Sequence, residues 1–147
     1  MRKLKLLLSY IFGHKRQVTA AIIEKSGKLL IAKRRLNGTL GGKWEFPGGK
    51  IEPGETPEEC LRRELKEEFD IESEIGSFVV ASKFRHFFVP IELLAYNVKW
   101  ASGDMKIKEH EEVKWVTVNE LGGYDFMEAD RSIVEVLCNS SQKCKVV

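Results

Sequence analysis

The chain has 147 residues, of which 43% are hydrophobic and 31% charged, and its 24 Lys and Arg against 22 Asp and Glu give a net charge of +2. This composition is typical of one soluble globular domain and excludes disordered, collagen-like and low-complexity classes. No apolar run approaches the roughly 20 residues that span a bilayer, and the near-neutral charge argues against a dedicated duplex-DNA binder.

The first 16 residues form a basic leader. Residues 1–17 contain five Lys and Arg and no acid, so they carry +5 and the other 130 residues sum to −3. Apolar residues recur there at the spacing of one helix face: Leu4, Leu7, Leu8, Ile11 and Phe12. We expect no signal peptide, because Lys5 interrupts the apolar stretch and residues 13–16 offer no small-residue cleavage site. Three interpretations stay open: a helix docked on the domain or on a second subunit, a basic helix on an anionic membrane surface, and a poorly ordered leader.

Past the leader, the pattern mixes strands and helices. Residues 18–23 and 29–32 are short apolar runs separated by Lys25-Ser26-Gly27-Lys28, which predicts a β-hairpin. A glycine-rich loop over 36–43 leads to Trp44-Glu45-Phe46. Further strands are predicted at 75–81, 91–98 and 113–118, which are rich in β-branched and aromatic residues.

Two helices are predicted. Thr56-Pro57-Glu58-Glu59 combines an N-cap, a proline at the first helical position and a capping-box glutamate, so a helix should run to about Phe69. Pro53-Gly54 predicts a type II turn before it. A second helix is predicted around 133–137, with Asp130 able to cap it. This order of strands with two helices favours an α+β or α/β sandwich over a bundle.

Three glutamates share one face of the first predicted helix. At about 100° per residue, Glu67 and Glu68 lie on either side of Glu64. Like charges at this spacing repel by roughly 0.2–0.5 kcal/mol per pair, and a hard divalent cation would remove the repulsion and use the oxygens as ligands. A solvated face paired with neighbouring Arg and Lys is the alternative. The upstream Pro47-Gly48-Gly49 turn can bring backbone groups close to a metal or phosphate.

The stretch from Gly49 to Ile71 resembles the Nudix box, G-x5-E-x7-R-E-U-x-E-E-x-G-U with U apolar. The matching residues are Gly49, Glu55, Arg63, Glu64, Leu65, Glu67, Glu68 and Ile71. Asp70 stands where the family has glycine, in a left-handed position that Asp tolerates at a cost of about 1 kcal/mol. The run WEFPGGKIE at 44–52 is similar to MutT-type nucleoside triphosphate diphosphatases, and the similarity covers roughly residues 17–138.

The resemblance implies an α/β/α sandwich around a mixed sheet, with a leader at 1–16, a Nudix hydrolase domain at 17–140 and a tail at 141–147. It implies Mg²⁺-dependent hydrolysis of (deoxy)nucleoside triphosphates to nucleoside monophosphate and pyrophosphate, with Mn²⁺ as a substitute metal. The implied metal ligands are the Gly48 carbonyl and the carboxylates of Glu64, Glu67, Glu68 and Glu109. Glu111 or Glu112 is the alternative to Glu109, and all three loop acids could instead be solvated; His110 is expected to be a loop or strand-edge residue.

The same resemblance assigns roles around the metal and the base. Glu55 and Arg63 would support the carboxylates, and Glu64 is the family's most frequent general base, although other members use another acid. Arg34 would lie near the sugar or base. Phe46 would lie beneath the base or in the core.

Asp130 falls where MutT enzymes specific for oxidised guanine have an asparagine. An ionised Asp only accepts hydrogen bonds, which favours a base with an amino group such as cytosine. Family members that hydrolyse CTP and modified cytosine nucleotides look similar, with an Ala-Asp pair at the place of Ala129-Asp130. A simple N-cap is the alternative.

Two other functions stay open: a Nudix hydrolase of ADP-ribose or a dinucleotide polyphosphate, and a non-catalytic nucleotide-sensing module. The expected partner is a nucleotide substrate with no stable nucleic-acid complex, and a homodimer or a membrane contact through the leader is not excluded. Cys60, Cys138 and Cys144 show no metal-ligand spacing, so we expect reduced thiols in a cytoplasmic protein.

Overall fold

A computed structural model describes residues 16–141. The elements, in chain order, are β1 (Arg16–Lys25), β2 (Lys28–Lys33), β3 (Trp44–Glu45), α1 (Pro57–Phe69), β4 (Glu72–His86), β5 (Val89–Ser102), β6 (Glu112–Val116), a 3₁₀ helix (Val118–Gly123) and α2 (Glu128–Ser141). The predicted leader helix and nearly all of the predicted tail lie outside the described residues. Within them, neither helix has the length and apolar character needed to cross a membrane.

The described strands form one mixed sheet in the order β3-β2-β1-β5-β4, with β6 paired to β2. β1 and β5 run parallel, from Arg16 opposite Ile91 to Ile23 opposite Val98. The other pairings are antiparallel, including the β1–β2 hairpin and the long β4–β5 hairpin. β4, β5 and β6 confirm the three later strands that the sequence predicts.

The two helices cover opposite faces of the sheet. Ala20 and Ile22 of β1 pack in the cluster that contains Ile133 of α2. The alternate residues Ala21 and Ile23 pack with the apolar stripe of α1. Because successive side chains of a strand point to opposite faces, this alternation places the sheet between two helical layers. The predicted α/β/α sandwich is confirmed.

The ends of α1 follow from local sequence. Thr56 and Glu59 make the predicted capping box, and Pro57 is the first helical residue. The helix ends at Phe69, and the C-cap residue Asp70 has a left-handed backbone, with φ 57° and ψ 33°. The Asp70 carboxylate lies 3.3 Å from the Lys66 ammonium and 3.2 Å from that of Lys106. These two ion pairs occur where a glycine would offer none, and they lower the pKa of Asp70.

The alternative that Asp130 is a simple N-cap is wrong. α2 begins at Glu128, so Asp130 lies inside its first turn and is not the N-cap. The Asp130 side chain instead accepts a hydrogen bond from the distant Phe46 N–H. Cys60 carries a free, buried thiol.

Candidate functional site

Two backbone hydrogen bonds attach the Pro47-Gly48-Gly49 turn to β1. The N–H of Thr19 donates to the Gly49 carbonyl at 2.8 Å, and the N–H of Ala21 donates to the Pro47 carbonyl at 2.7 Å. Successive carbonyls of an extended chain alternate in direction, so the Gly48 carbonyl faces away from β1. A Cβ atom at Gly48 would overlap the Thr19 carbonyl oxygen, so only glycine permits this approach.

Arg63 joins the turn to α1. Its guanidinium donates to both carboxylate oxygens of Glu55, at 2.6 and 3.0 Å, and to Glu64 Oε1 at 2.8 Å. It also donates to the Lys50 carbonyl at 3.0 Å. The hydrogen bond from Arg63 is the largest influence on Glu55 and lowers the pKa of that carboxyl to about 2. Arg63 thus connects the carboxylates of Glu55 and Glu64 through hydrogen bonds.

Glu68 is a half-buried carboxyl group that lies among other carboxyl groups. Its Oε2 atom is shielded from solvent and has no hydrogen-bond partner in the described part of the chain. Burial, followed by the charge of Glu64 and weaker effects of Glu45 and Glu109, raises the pKa of Glu68 to about 9. Glu68 Oε2 lacks a hydrogen-bond partner and lies near other glutamate side chains. A hard divalent cation would bind this oxygen and reduce the repulsion between the carboxylates. The residues present therefore fit such an ion.

Glu67 is placed differently from Glu64 and Glu68. Its side chain is 59% exposed and accepts a hydrogen bond from Arg63 at 3.3 Å. Among residues 16–141, no three His, Cys, Asp or Glu side chains are close enough together to hold a metal ion as they stand. The structure thus brings Glu64 and Glu68 together and leaves Glu67 exposed.

The loop before β6 is tied to the end of α1. The N–H of Lys106 donates to the Phe69 carbonyl at 2.9 Å, and that of Lys108 donates to the Glu68 carbonyl at 3.2 Å. These bonds bring the loop alongside Glu68, and Glu68 and Glu109 both line one cavity of the protein. The charge of Glu109 is one of the causes that raise the pKa of Glu68.

His110 is a site residue whose role the sequence did not indicate. It is buried, its ring stacks on Phe69 with centroids 5.4 Å apart, and its Nε2 lies 3.0 Å from Glu45 Oε1. The other Glu45 oxygen is 3.2 Å from the Arg34 guanidinium. Glu45 therefore links β3 to the Glu109 loop and to the end of β2. No spacing in the sequence pairs Glu45 with His110, which follows it by 65 residues.

One cavity of about 680 Å³ is lined by six of the ten predicted site residues, whereas Glu55, Arg63, Glu64 and Glu67 are not part of its lining. Gly48, Glu68 and Glu109 line it together with the predicted base-reading residues Arg34, Phe46 and Asp130. Phe46 is only 3% exposed and stacks on Phe126 at 5.4 Å, so it belongs to the core and also borders the cavity. Further lining comes from the β4–β5 hairpin through Phe84, His86 and Ile91, which the sequence did not single out.

Asp130 is buried at the wall of this cavity. Its Oδ1 accepts a hydrogen bond from the Phe46 N–H at 2.9 Å, which leaves Oδ2 for another partner. Burial raises the pKa of Asp130 to about 8, against the lowering effect of the Phe46 bond. The raised pKa makes this carboxyl easier to protonate than the ionised Asp expected from the sequence.

Comparison with known proteins gives concordant matches. A sequence profile of the NUDIX domain matches residues 13–137. The CTP pyrophosphohydrolase of Escherichia coli K12 is 37% identical over 119 residues, which cover 81% of this chain and 88% of that protein. The 8-oxo-dGTP diphosphatase of the same strain is 32% identical over 124 residues, 84% and 96% of the two chains. The solution structure of the E. coli ORF135 protein has a TM-score of 0.78 at 33% identity, covering 89% of this chain and 95% of that one.

Proposed function

Because this chain belongs to the NUDIX domain family, we propose that it hydrolyses nucleoside triphosphates to nucleoside monophosphate and pyrophosphate, with a preference for cytosine or modified cytosine nucleotides. The relatives named as a CTP pyrophosphohydrolase and an 8-oxo-dGTP diphosphatase support the substrate class. The observation that carries the proposal is the shared cavity, in which Asp130 and Arg34 line the same space as Glu68 and Glu109. One molecule can therefore contact both groups.

The proposed metal is Mg²⁺, with Mn²⁺ as a substitute, because carboxylate and carbonyl oxygens suit small hard cations. Glu64 and Glu68 would hold it, with the Gly48 carbonyl, Glu67 and Glu109 as the further ligands. When bound, the metal neutralises phosphate charge and lowers the pKa of water. The orphaned Oε2 of Glu68 is the feature of this chain that supports the assignment.

The protein's own groups supply positioning and proton transfer. Arg63 fixes Glu64 Oε1 at 2.8 Å, and Glu55 fixes Arg63 in turn. Glu64 is our choice for the general base that accepts a proton from the attacking water. Attack on the β phosphorus breaks its bond to the oxygen that bridges it to the α phosphorus, which yields the monophosphate and pyrophosphate.

Base selection is assigned to Asp130 and Arg34. Because the Phe46 N–H occupies Oδ1 of Asp130, one oxygen remains for the base. The amino group of cytosine can donate to that oxygen, and this donation favours the ionised carboxyl. We place the activity in the cytoplasm, where nucleoside triphosphates are available.

A pyrophosphate-release screen across natural and damaged triphosphates tests the proposal. We expect Mg²⁺-dependent release, fastest with a cytosine nucleotide. If 8-oxo-dGTP exceeds every cytosine nucleotide by tenfold or more, the base preference is wrong. If only ADP-ribose or dinucleotide polyphosphates are cleaved, the triphosphate class is wrong, and if nothing is cleaved while nucleotides bind, the chain is a sensing module.

A further inference from the structure

Arg35 connects the end of β2 to the loop that carries Glu109. β2 ends at Lys33, and Arg35, two residues further on, is partly buried. Its Nη2 donates a hydrogen bond to the Lys108 carbonyl at 2.7 Å, across 73 residues of sequence. That carbonyl belongs to the peptide group that joins Lys108 to Glu109. The bond therefore acts on the backbone immediately before the loop acid that we assign as a metal ligand.

The backbone on both sides of Glu109 is held by hydrogen bonds. The N–H of Lys108 donates to the Glu68 carbonyl at 3.2 Å, so both polar groups of the Lys108 backbone are hydrogen-bonded. The N–H of Glu111 donates to the Lys33 carbonyl at 2.9 Å. Glu109 itself is exposed. The bonds of its neighbours, rather than packing around its own side chain, therefore determine where its carboxylate lies.

The loop after Arg35 orders the backbone from which its side chain extends. The N–H of Gly38 donates to the Arg35 carbonyl at 3.1 Å. A Cβ atom built on Gly41 would overlap the carbonyl oxygens of Arg35 and Leu36, so the loop folds back closely on Arg35. Because this backbone is already ordered, less conformational entropy is lost when the side chain binds the Lys108 carbonyl.

Two roles are open to this guanidinium, because Arg35 also lines the cavity with Glu68 and Glu109. It could contact the triphosphate, or it could position the loop. The two roles predict opposite effects on metal binding. A positive charge beside the site repels a cation, so removal of the charge alone would tighten metal binding. Loss of the bond to Lys108 would instead release the Glu109 backbone and weaken metal binding.

We propose that Arg35 is a positioning residue of the metal site. Its bond to Lys108 holds the peptide group before Glu109, so that the Glu109 carboxylate can join Glu68 at the ion. The bond itself, at 2.7 Å, is the observation that carries this role. The inference rests on the proposed function, in which Glu109 is a metal ligand. It adds a residue that lies outside the Gly49–Ile71 motif.

Mn²⁺ binding to the full chain without nucleotide, measured by electron paramagnetic resonance, tests the inference. We expect Arg35→Ala to raise the Kd for Mn²⁺ by about tenfold. Glu109→Gln should raise the Kd at least as much, and the double variant should lie within about twofold of Glu109→Gln alone, because both changes act through one carboxylate. The control is Arg62→Ala, which removes the same charge from an exposed position on α1 and should stay within about twofold of wild type.

Amide hydrogen exchange followed by NMR gives a second measurement that needs no metal. The N–H groups of Lys108 and Glu111 should exchange at least about fivefold faster in Arg35→Ala, because the loop between them opens more often. The N–H of Thr19, which donates to the Gly49 carbonyl, should exchange at the wild-type rate. Unchanged exchange at Lys108 and Glu111 would show that Arg35 does not hold this loop.

The failure of this inference can be distinguished from failure of the proposed ligand set. Unchanged or tighter Mn²⁺ binding in Arg35→Ala, with weaker binding in Glu109→Gln, would overturn the positioning role and leave Glu109 as a ligand. A raised KM at unchanged kcat would then assign Arg35 to the triphosphate. Unchanged binding in Glu109→Gln would remove Glu109 from the ligand set and overturn both proposals. An equal loss from Arg35→Ala with and without the Glu109 carboxylate would show that Arg35 acts through another group.

Discussion

The Glu64 carboxylate occupies the space in which a side chain at Gly49 would lie: a Cβ atom built on Gly49 would overlap both Glu64 oxygens. The Pro47-Gly48-Gly49 turn and α1 are therefore closely packed at the side chain of Glu64, the proposed base. The Arg63 guanidinium donates a hydrogen bond to the same carboxylate at 2.8 Å. A side chain at this position would have to displace the end of the Glu64 side chain, which is the proposed functional group.

Gly49→Ala tests this packing. The added methyl group must displace the Glu64 carboxylate, and a displacement of about 1 Å at a catalytic group costs about 10²-fold in rate. We expect kcat/KM for pyrophosphate release to fall by about that factor. Gly122→Ala is the matched control, because a Cβ atom at Gly122 meets no atom within 4 Å, and its activity should be unchanged. Full activity in Gly49→Ala would contradict the packing argument.

The sequence predicted α1 well because every determinant is local. The cap, the proline and the capping-box glutamate lie within four residues, and the structure contains all three. The Pro53-Gly54 turn is similarly local: Gly54 has φ 82°, and the N–H of Glu55 donates to the Glu52 carbonyl. The spacing of the box then places Glu55, Arg63 and Glu64 within bonding distance.

The other part of the site depends on contacts between distant residues. Asp130 has the residue type of an N-cap, but its carboxylate bonds to the Phe46 N–H, 84 residues away. Glu45 is bonded to His110 across 65 residues. Residue spacing in the sequence predicts neither contact, because the order of the strands and the packing of the loops bring these residues together. Burial of Asp130, and hence its altered pKa, could only be known from the fold.

Glu64→Gln tests the proposed base. The amide has nearly the same shape and can still accept a bond from Arg63, but it cannot accept a proton from water. We expect kcat to fall by roughly 10² to 10⁴ with little change in melting temperature. Glu74→Gln, which alters an exposed glutamate on β4, should leave kcat unchanged. An undiminished kcat in Glu64→Gln would remove Glu64 from the mechanism.

Glu55→Gln tests the ion pair that supports the site. The side chain of Glu55 is only 13% exposed and bonds twice to Arg63, so we expect a loss of about 1.5–3 kcal/mol in unfolding free energy at pH 7 by urea titration. The exposed Glu52 lies 4.0 Å from the same guanidinium, and Glu52→Gln should change stability by no more than about 0.5 kcal/mol.

The same pair predicts an acid dependence. The pKa of Glu55 is about 2 in the folded protein, below its ordinary value of 4.5. Its stabilising contribution is therefore complete above about pH 5 and is lost as the pH falls toward 2. The stability gap between wild type and Glu55→Gln should be less than half as large at pH 3 as at pH 7. A gap that is constant with pH would show that the effect of the substitution is not electrostatic.

Asp130 should make base preference depend on pH. Its pKa of about 8 means that the carboxyl is mostly protonated at pH 6.5 and mostly ionised at pH 9. The ionised form accepts from the amino group of CTP, whereas the protonated form donates to the O4 carbonyl of UTP. We therefore expect the ratio of kcat/KM for CTP to that for UTP to rise by about tenfold across this range.

Taking a ratio cancels pH effects that both substrates share, such as those of the glutamate cluster. Asp130→Asn keeps an acceptor for the Phe46 N–H but cannot ionise, so its ratio should be flat. A wild-type ratio that stays constant, or a slope that survives in Asp130→Asn, would show that this carboxyl does not read the base.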